Sequence, residues 1–285
     1  IPGVNDVGPV LRDDPILAEG GVQFAGQPVF AVAATSVEAA RRAARLGRFD
    51  IEPLPPILTI EEAMASASFV LPPARLARGD AAGALARAPH RLSGTFRSGG
   101  QDHFYLEGQV ALAIPREDGT MHVHCSTQHP GEVQHMVARA LGLQDHGVVV
   151  ECRRMGGGFG GKETQMSLFA CVAAIFARRT GRAVKLRLDR DDDMRSTGKR
   201  HAFLHGYDAG YDDEGRLLAL DLTLASRCGY SADLSGAIND RAVFHADNAY
   251  WLPDVAIHSF RCRTNTVSDT AFRGFGGPQG MFAIE

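Results

Sequence analysis

The chain has 285 residues, 45% of them hydrophobic and 22% charged, with 30 Lys and Arg against 33 Asp and Glu for a net charge of −3. That length supports one or two ordinary hydrophobic cores, and the composition excludes disorder and fibrous repeats. The near-neutral balance gives no basic footprint for nucleic acid or an acidic membrane, and no apolar run approaches the roughly 18 residues of a membrane helix.

The opening Ile1-Pro2-Gly3 lacks the basic and apolar segments of a signal peptide, so a cytoplasmic protein is expected. Residues 22–34 read as a hairpin or strand pair around Gly26-Gln27-Pro28. Thr35 and Glu38 have the spacing of a capping box, and the Ala/Arg-rich helix they open is expected to stop at Gly47. Proline recurs from Asp50 to Pro56, which places a domain boundary near residue 56. Residues 57–90, rich in Ala and Pro, read as a linker that wraps the surface.

The region from 91 to 285 reads as one larger unit. Strands are expected at Arg91–Phe96, Gln109–Pro115 and Met121–Cys125, then a helix from Glu132 to Leu141 stopped by Gly142. An apolar strand at Val148–Cys152, a glycine-rich turn and a helix from Thr164 to Arg179 follow. A strand at Ala183–Leu188 and a hairpin of Phe203–Tyr211 with Leu217–Ala225 complete the pattern. Strands and helices interleave without strict alternation, which predicts an α+β fold. Both chain ends read as cut, the last one inside an opening apolar helix at Gly280–Glu285.

The strongest chemical signal is Met155-Gly156-Gly157-Gly158-Phe159-Gly160-Gly161-Lys162-Glu163, set between a strand and a helix. Glycine backbone approaches an anionic or oxo group closely, and the N–H groups at the helix start point toward it. Gly156, Gly158 and Gly161 also fit a dinucleotide fingerprint, with Asp189 as the ribose acid, but the surrounding elements do not alternate as that fold requires. A second glycine-aromatic loop runs from Thr270 to Gln279, and two such loops suit a flat ligand.

Weaker features accompany these. His122 and His124 share a strand face, but no third metal ligand has suitable spacing. Asp189, Asp191 and Asp193 mimic the start of a calcium loop, yet Met194 and Arg200 occupy its glycine and glutamate positions, so the run is expected to be solvated. Ser231 lacks a nucleophile elbow. Five widely spaced cysteines (Cys125, Cys152, Cys171, Cys228 and Cys262), none in Cys-x-x-Cys, are expected to be buried and reduced.

The segments FYLEGQ (104–109), STQ (126–128), MGGGFGGKET (155–164), RAVFHADNAY (241–250) and TAFRGFGGPQG (270–280) resemble signatures of the xanthine dehydrogenase/aldehyde oxidase family, in the same order. The resemblance covers essentially the whole chain. It implies that residues 1–56 end a hammerhead-like α/β domain and that 91–285 form the first half of a molybdopterin-binding domain. It also implies a molybdenum hydroxylase that oxidises hypoxanthine and xanthine to urate, with electrons leaving through Fe-S clusters and FAD to NAD. Molybdenum would be held by the molybdopterin and not by a protein side chain.

By the same resemblance, Gln128, Gly158, Phe159, Gly160 and Arg273 bind the cofactor, while Glu163, Arg241 and Phe275 bind a purine substrate. Charged residues at 163 and 241 separate purine from aldehyde specificity in that family. The simpler competing readings are that Glu163 only stabilises its helix N-terminus and that Arg241 only pairs with Asp240 or Asp247. The general-base glutamate is expected beyond residue 285, which makes this segment inactive alone. The expected partners are an Fe-S/FAD subunit or domain, in a homo-oligomer of heterodimers. The alternatives are an aldehyde or N-heterocycle hydroxylase, or a cofactor-free scaffold.

Overall fold

The computed structural model describes residues 1–285, which form two compact units. Unit 1 comprises residues 1–56 and 104–198, and unit 2 comprises residues 57–103 and 199–285. The stretch 91–285 is therefore shared between the units, and so is the sequence before it.

In chain order, unit 1 opens with α1 (Val37–Ala44). Unit 2 begins with α2 (Ile60–Ala65), β1 (Phe69–Arg78), α3 (Ala81–Arg87) and β2 (His90–Ser98). Unit 1 resumes with β3 (Val110–Pro115), β4 (Met121–Cys125), α4 (Pro130–Leu141), β5 (Val148–Glu151), α5 (Met166–Thr180), β6 (Val184–Arg187) and α6 (Arg190–Ser196). Unit 2 is completed by β7 (Phe203–Tyr211), β8 (Leu217–Gly229), α7 (Ser235–Phe244), β9 (Asp254–Arg263) and α8 (Gly277–Ile284).

Each unit is built on a mixed sheet, giving the α+β class. Unit 1 has strand order β5-β4-β3-β6, in which only β4 and β5 run parallel. That rules out the doubly wound sheet a dinucleotide site needs. Ala111, Ala113, Met121, Val123 and Cys125 alternate inward along β3 and β4 and pack against the buried faces of α4 and α5. Four alanines of α5 (170, 173, 174 and 177) are fully buried, so that helix lies close on the sheet. Gly142 and Gly181 end α4 and α5 in the left-handed region, as the stop signals predict.

Unit 2 has the order β1-β9-β8-β7-β2. Leu220, Leu222 and Leu224 of β8 join Val255 and Ile257 of β9 in its core, covered by Ala242 of α7. Burying each such leucine contributes about 1.5–3 kcal/mol.

Several expectations are corrected. Residues 22–34 form no strand ladder: Gln27 N–H donates to Phe24 O to make the turn, but Pro28 has no N–H to extend a pairing. Helix α1 is capped by Ser36, whose Oγ accepts from Ala39 N–H, not by Thr35, and it stops at Ala44. Residues 57–90 are not a structureless wrap. Thr59 and Glu62 close a full capping box, and β1 tolerates Pro72-Pro73 because it is an edge strand with a register shift there.

The acidic run is not wholly solvated. Asp189 caps α6 and pairs with Arg41 at 2.8 Å, whereas Asp193 is buried and accepts from Tyr105 Oη at 2.6 Å and Gln109 N–H at 2.9 Å. All five cysteines are free thiols, Cys152 being half-buried. Ser231 is buried and bonds Ser268.

Candidate cofactor site

In unit 1 the glycine run fills the path from β5 to α5, and its backbone wraps one side chain, Gln128. Gln128 Oε1 accepts from Gly160 N–H at 2.8 Å and from Lys162 N–H at 3.3 Å, while Gln128 N–H donates to Lys162 O at 2.9 Å. The carboxamide oxygen is thereby pinned, and its NH2 group is the end left to act as donor. Glycine at 158 leaves room for this amide, since a Cβ there would sit 2.6 Å from Gln128 Oε1 and displace it. Gly157 (φ 97°), Phe159 (φ 56°) and Gly160 (φ 102°) all take the left-handed region, which leaves the Phe159 ring exposed.

Behind this loop lies a polar cluster for which the sequence reading assigned no roles. Lys162 has no exposed surface, and its Nζ donates to Glu107 O at 2.6 Å and Ser126 Oγ at 2.7 Å, 3.5 Å from Glu107 Oε2. Glu107 Oε2 also accepts from Ser126 Oγ at 2.6 Å and Gly156 N–H at 2.8 Å. Burial works against the Glu107 carboxylate, but these hydrogen bonds and the ammonium outweigh it and hold its pKa below the usual range. For Lys162 burial prevails and lowers its pKa, against the opposing pull of Glu107. Gln109, fully buried, donates to Gly161 O at 2.9 Å and Tyr105 Oη at 3.0 Å, tying the loop to Asp193. The available signal was a lysine embedded in a glycine run ahead of an apolar helix.

Glu163 follows directly, half-buried and three residues ahead of the first residue of α5. Burial pushes its carboxyl above the usual range, with His129 opposing.

Unit 2 carries the other expected residues. Phe275 (φ 50°) closes a tight turn by donating its N–H to Phe272 O at 2.7 Å, and Arg273 is exposed, its carbonyl accepting from Arg200 Nη2 at 2.7 Å. Arg241 is exposed in the last turn of α7. Of the two carboxylates that the simpler reading offered to Arg241, Asp240 and Asp247, Asp240 is engaged by Arg261. Glycines of this second loop serve packing: a Cβ at Gly276 or Gly280 would lie 2.0 Å from Ile238 O or 2.1 Å from Ala242 O of α7.

Residues 65–285 match the family described as the molybdopterin cofactor-binding domain. The chain belongs to that family. It is 45% identical over 283 residues to the xanthine dehydrogenase of Drosophila subobscura, covering 99% of this chain and 21% of that protein. It is 41% identical over 286 residues to a nicotinate hydroxylase of Emericella nidulans, covering 99% of this chain and 21% of that one. The solved aldehyde oxidoreductase of Desulfovibrio gigas matches with a TM-score of 0.87 at 26% identity, over 100% of this chain and 33% of its own. The chain thus spans about a fifth of the length of the curated relatives it matches.

The unit 1 loop fits the family's cofactor on its own geometry. A carboxamide whose oxygen is held by the loop's N–H groups keeps its NH2 as a neutral donor for an oxygen-rich group beside glycine backbone. Gly160 N–H is committed to Gln128, so its part is to orient that amide.

Proposed function

We propose that this chain is the molybdopterin-binding region of a molybdenum hydroxylase that oxidises hypoxanthine and xanthine to urate. When bound, the cofactor supplies metal-activated oxygen and takes up the substrate's electrons. The observation that carries the reading is the pinned Gln128 amide beside the glycine loop, in a chain of the molybdopterin cofactor-binding family.

Gln128 would donate its NH2 hydrogens to an oxygen of the group, with Gly158, Phe159 and Arg273 holding the cofactor and Gly160, called a cofactor residue by the resemblance, acting through the Gln128 amide it orients. Glu163 would accept from ring N–H groups of a purine, Arg241 would offset negative charge that develops on the ring, and Phe275 would pack on its face. Fe-S clusters, FAD and NAD belong to this proposal as the electron route, as do a cytoplasmic location, an Fe-S/FAD partner and a homo-oligomer of heterodimers. The general base would come from outside residues 1–285, leaving this segment inactive alone.

The 41% identity to a nicotinate hydroxylase supports a second reading, an N-heterocycle or aldehyde hydroxylase. Metal analysis with a xanthine-to-urate assay on the full-length protein and its partner subunits separates them. Molybdenum with urate formation, lost by at least tenfold in kcat/KM in Glu163→Ala and Arg241→Ala, supports purine oxidation. Molybdenum with nicotinate or aldehyde turnover alone selects the second reading, and no molybdenum in a competent host leaves the scaffold.

A further inference from the structure

His122 and His124 lie two apart on β4 and so share its outward face, opposite the buried Met121, Val123 and Cys125. The third ligand that sequence spacing does not reveal comes from the neighbouring strand. β5 runs parallel to β4 in the register that pairs His124 with Glu151. The two imidazoles stack with centroids 4.4 Å apart, and Glu151 Oε2 lies 3.4 Å from His122 Nε2 and 3.5 Å from His124 Nδ1. The three donor atoms all fall within 4.8 Å of one another. His122 Nε2 is buried and makes no hydrogen bond, which is costly for a polar atom unless something else engages it.

We propose that His122, His124 and Glu151 form a divalent metal site of the zinc class that joins β4 to β5. Zinc bonds to nitrogen and oxygen are about 2.0–2.1 Å, so two ligands of a tetrahedral site stand about 3.3 Å apart. The two distances to Glu151 match that edge. Two nitrogens and one carboxylate oxygen on a half-exposed face leave the fourth position to water, a donor set that suits zinc and not magnesium or calcium.

Arg116 Nη2 lies 2.8 Å from His122 Nδ1, and Arg153 Nε lies 3.3 Å from Glu151 Oε1. Donation from Arg116 keeps the imidazole proton on Nε2, where it opposes a metal. Metal binding moves that proton to Nδ1 and turns the exposed Arg116 away. The site is independent of the molybdopterin reading, yet it bears on the same loop. Gln128 lies four residues beyond His124, and Gly156 five beyond Glu151, so the metal would clamp the two strands that lead into it.

The test is titration of the full-length protein with zinc alone, read by competition with a chromogenic chelator. One zinc equivalent per chain should be lost, or weakened at least tenfold, in His122→Ala/His124→Ala and in Glu151→Gln. All three ligands lie outside the core, and a thermal melt without metal checks that the variants fold. Arg116→Ala removes the competitor and should tighten binding several-fold. His135→Ala, a surface histidine that pairs with Asp145, should change nothing. Equal zinc binding by the wild type and the double variant, or an affinity unmoved by Arg116→Ala, would overturn the site.

Discussion

Two glycine loops of similar composition do different work in the two units. In unit 1, glycine at 158 makes room for a side chain: Gln128 lies against the backbone and is held by its N–H groups. In unit 2, glycine at 276 and 280 makes room for a helix, bringing α8 onto the carbonyls of α7. What stands behind each loop differs too. Buried Lys162, paired with the partly exposed Glu107, stands behind the first, and His201, bonded to Ser235 at 2.7 Å, accompanies the second. Glycine content alone therefore identifies close approach and not what approaches; the partner atom decides whether the loop presents chemistry or packs a core.

The largest expected effect tests the charged backing of the first loop. Lys162→Met keeps the length of the side chain but leaves Glu107 O and Ser126 Oγ without their donor and the Glu107 carboxylate without its counter-charge. Depriving two acceptors of a buried ammonium costs about 3 kcal/mol, to which the partly exposed carboxylate adds little because water screens it. Urea denaturation should show that loss, and the double variant with Glu107→Gln should recover part of it through coupling between the two sites. A change under about 0.5 kcal/mol would mean the pair is not a structural support of the loop.

The same substitution in the unit 1 loop and in α8, which follows the unit 2 loop, then separates their roles. Gly280→Ala drives a Cβ to 2.1 Å from Ala242 O, a backbone atom that cannot turn aside. Overpacking of that kind costs about 2 kcal/mol, more than the modest gain of alanine in a helix returns. Gly158→Ala meets the flexible end of Gln128, so its stability should fall by only about 1 kcal/mol through the loosened hydrogen bonds. Its loss should appear in molybdenum content of the full-length protein, with Gly280→Ala retaining molybdenum wherever it folds. Equal stability losses in the two variants would erase the distinction between the loops.

The sequence was most legible where local chemistry dictates the outcome. Alternation at 110–115 and 121–125, the stops at Gly142 and Gly181, and the hairpin about Gly215 all depend on neighbours in the chain. It was least legible where tertiary pairing decides. Pro72-Pro73 argues against a strand until β9 supplies an edge to pair with, and the Thr59–Glu62 capping box was hidden by the Ala- and Pro-rich composition around it. Asp193 looked solvated among three aspartates because its partners Tyr105 and Gln109 lie more than 80 residues away. For the cofactor loop, family resemblance singled out Gln128, but Lys162 and Glu107 emerge only when 107, 126 and 162 are brought together in space.

The smallest expected effect concerns two histidines that unit 2 keeps neutral in its interior. Burial lowers the pKa of His201 to about 3 and of His205 to about 4, the latter ring stacked between Phe96 and Phe203 and bonded to Ser98 at 2.9 Å. A histidine whose folded pKa is depressed stabilises the fold above its unfolded pKa of about 6.5, and that stability is lost as pH falls toward the folded value. Between pH 7.5 and 5.5 each should therefore cost unit 2 about 1 kcal/mol, because the unfolded chain takes up protons that the folded one refuses. His205→Phe keeps the stack and removes one of those protons, so its urea midpoint should fall less steeply with acid than that of the wild type. An unchanged slope would mean that His205 takes up its proton as readily in the folded chain as in the unfolded one, and that burial between Phe96 and Phe203 does not keep it neutral.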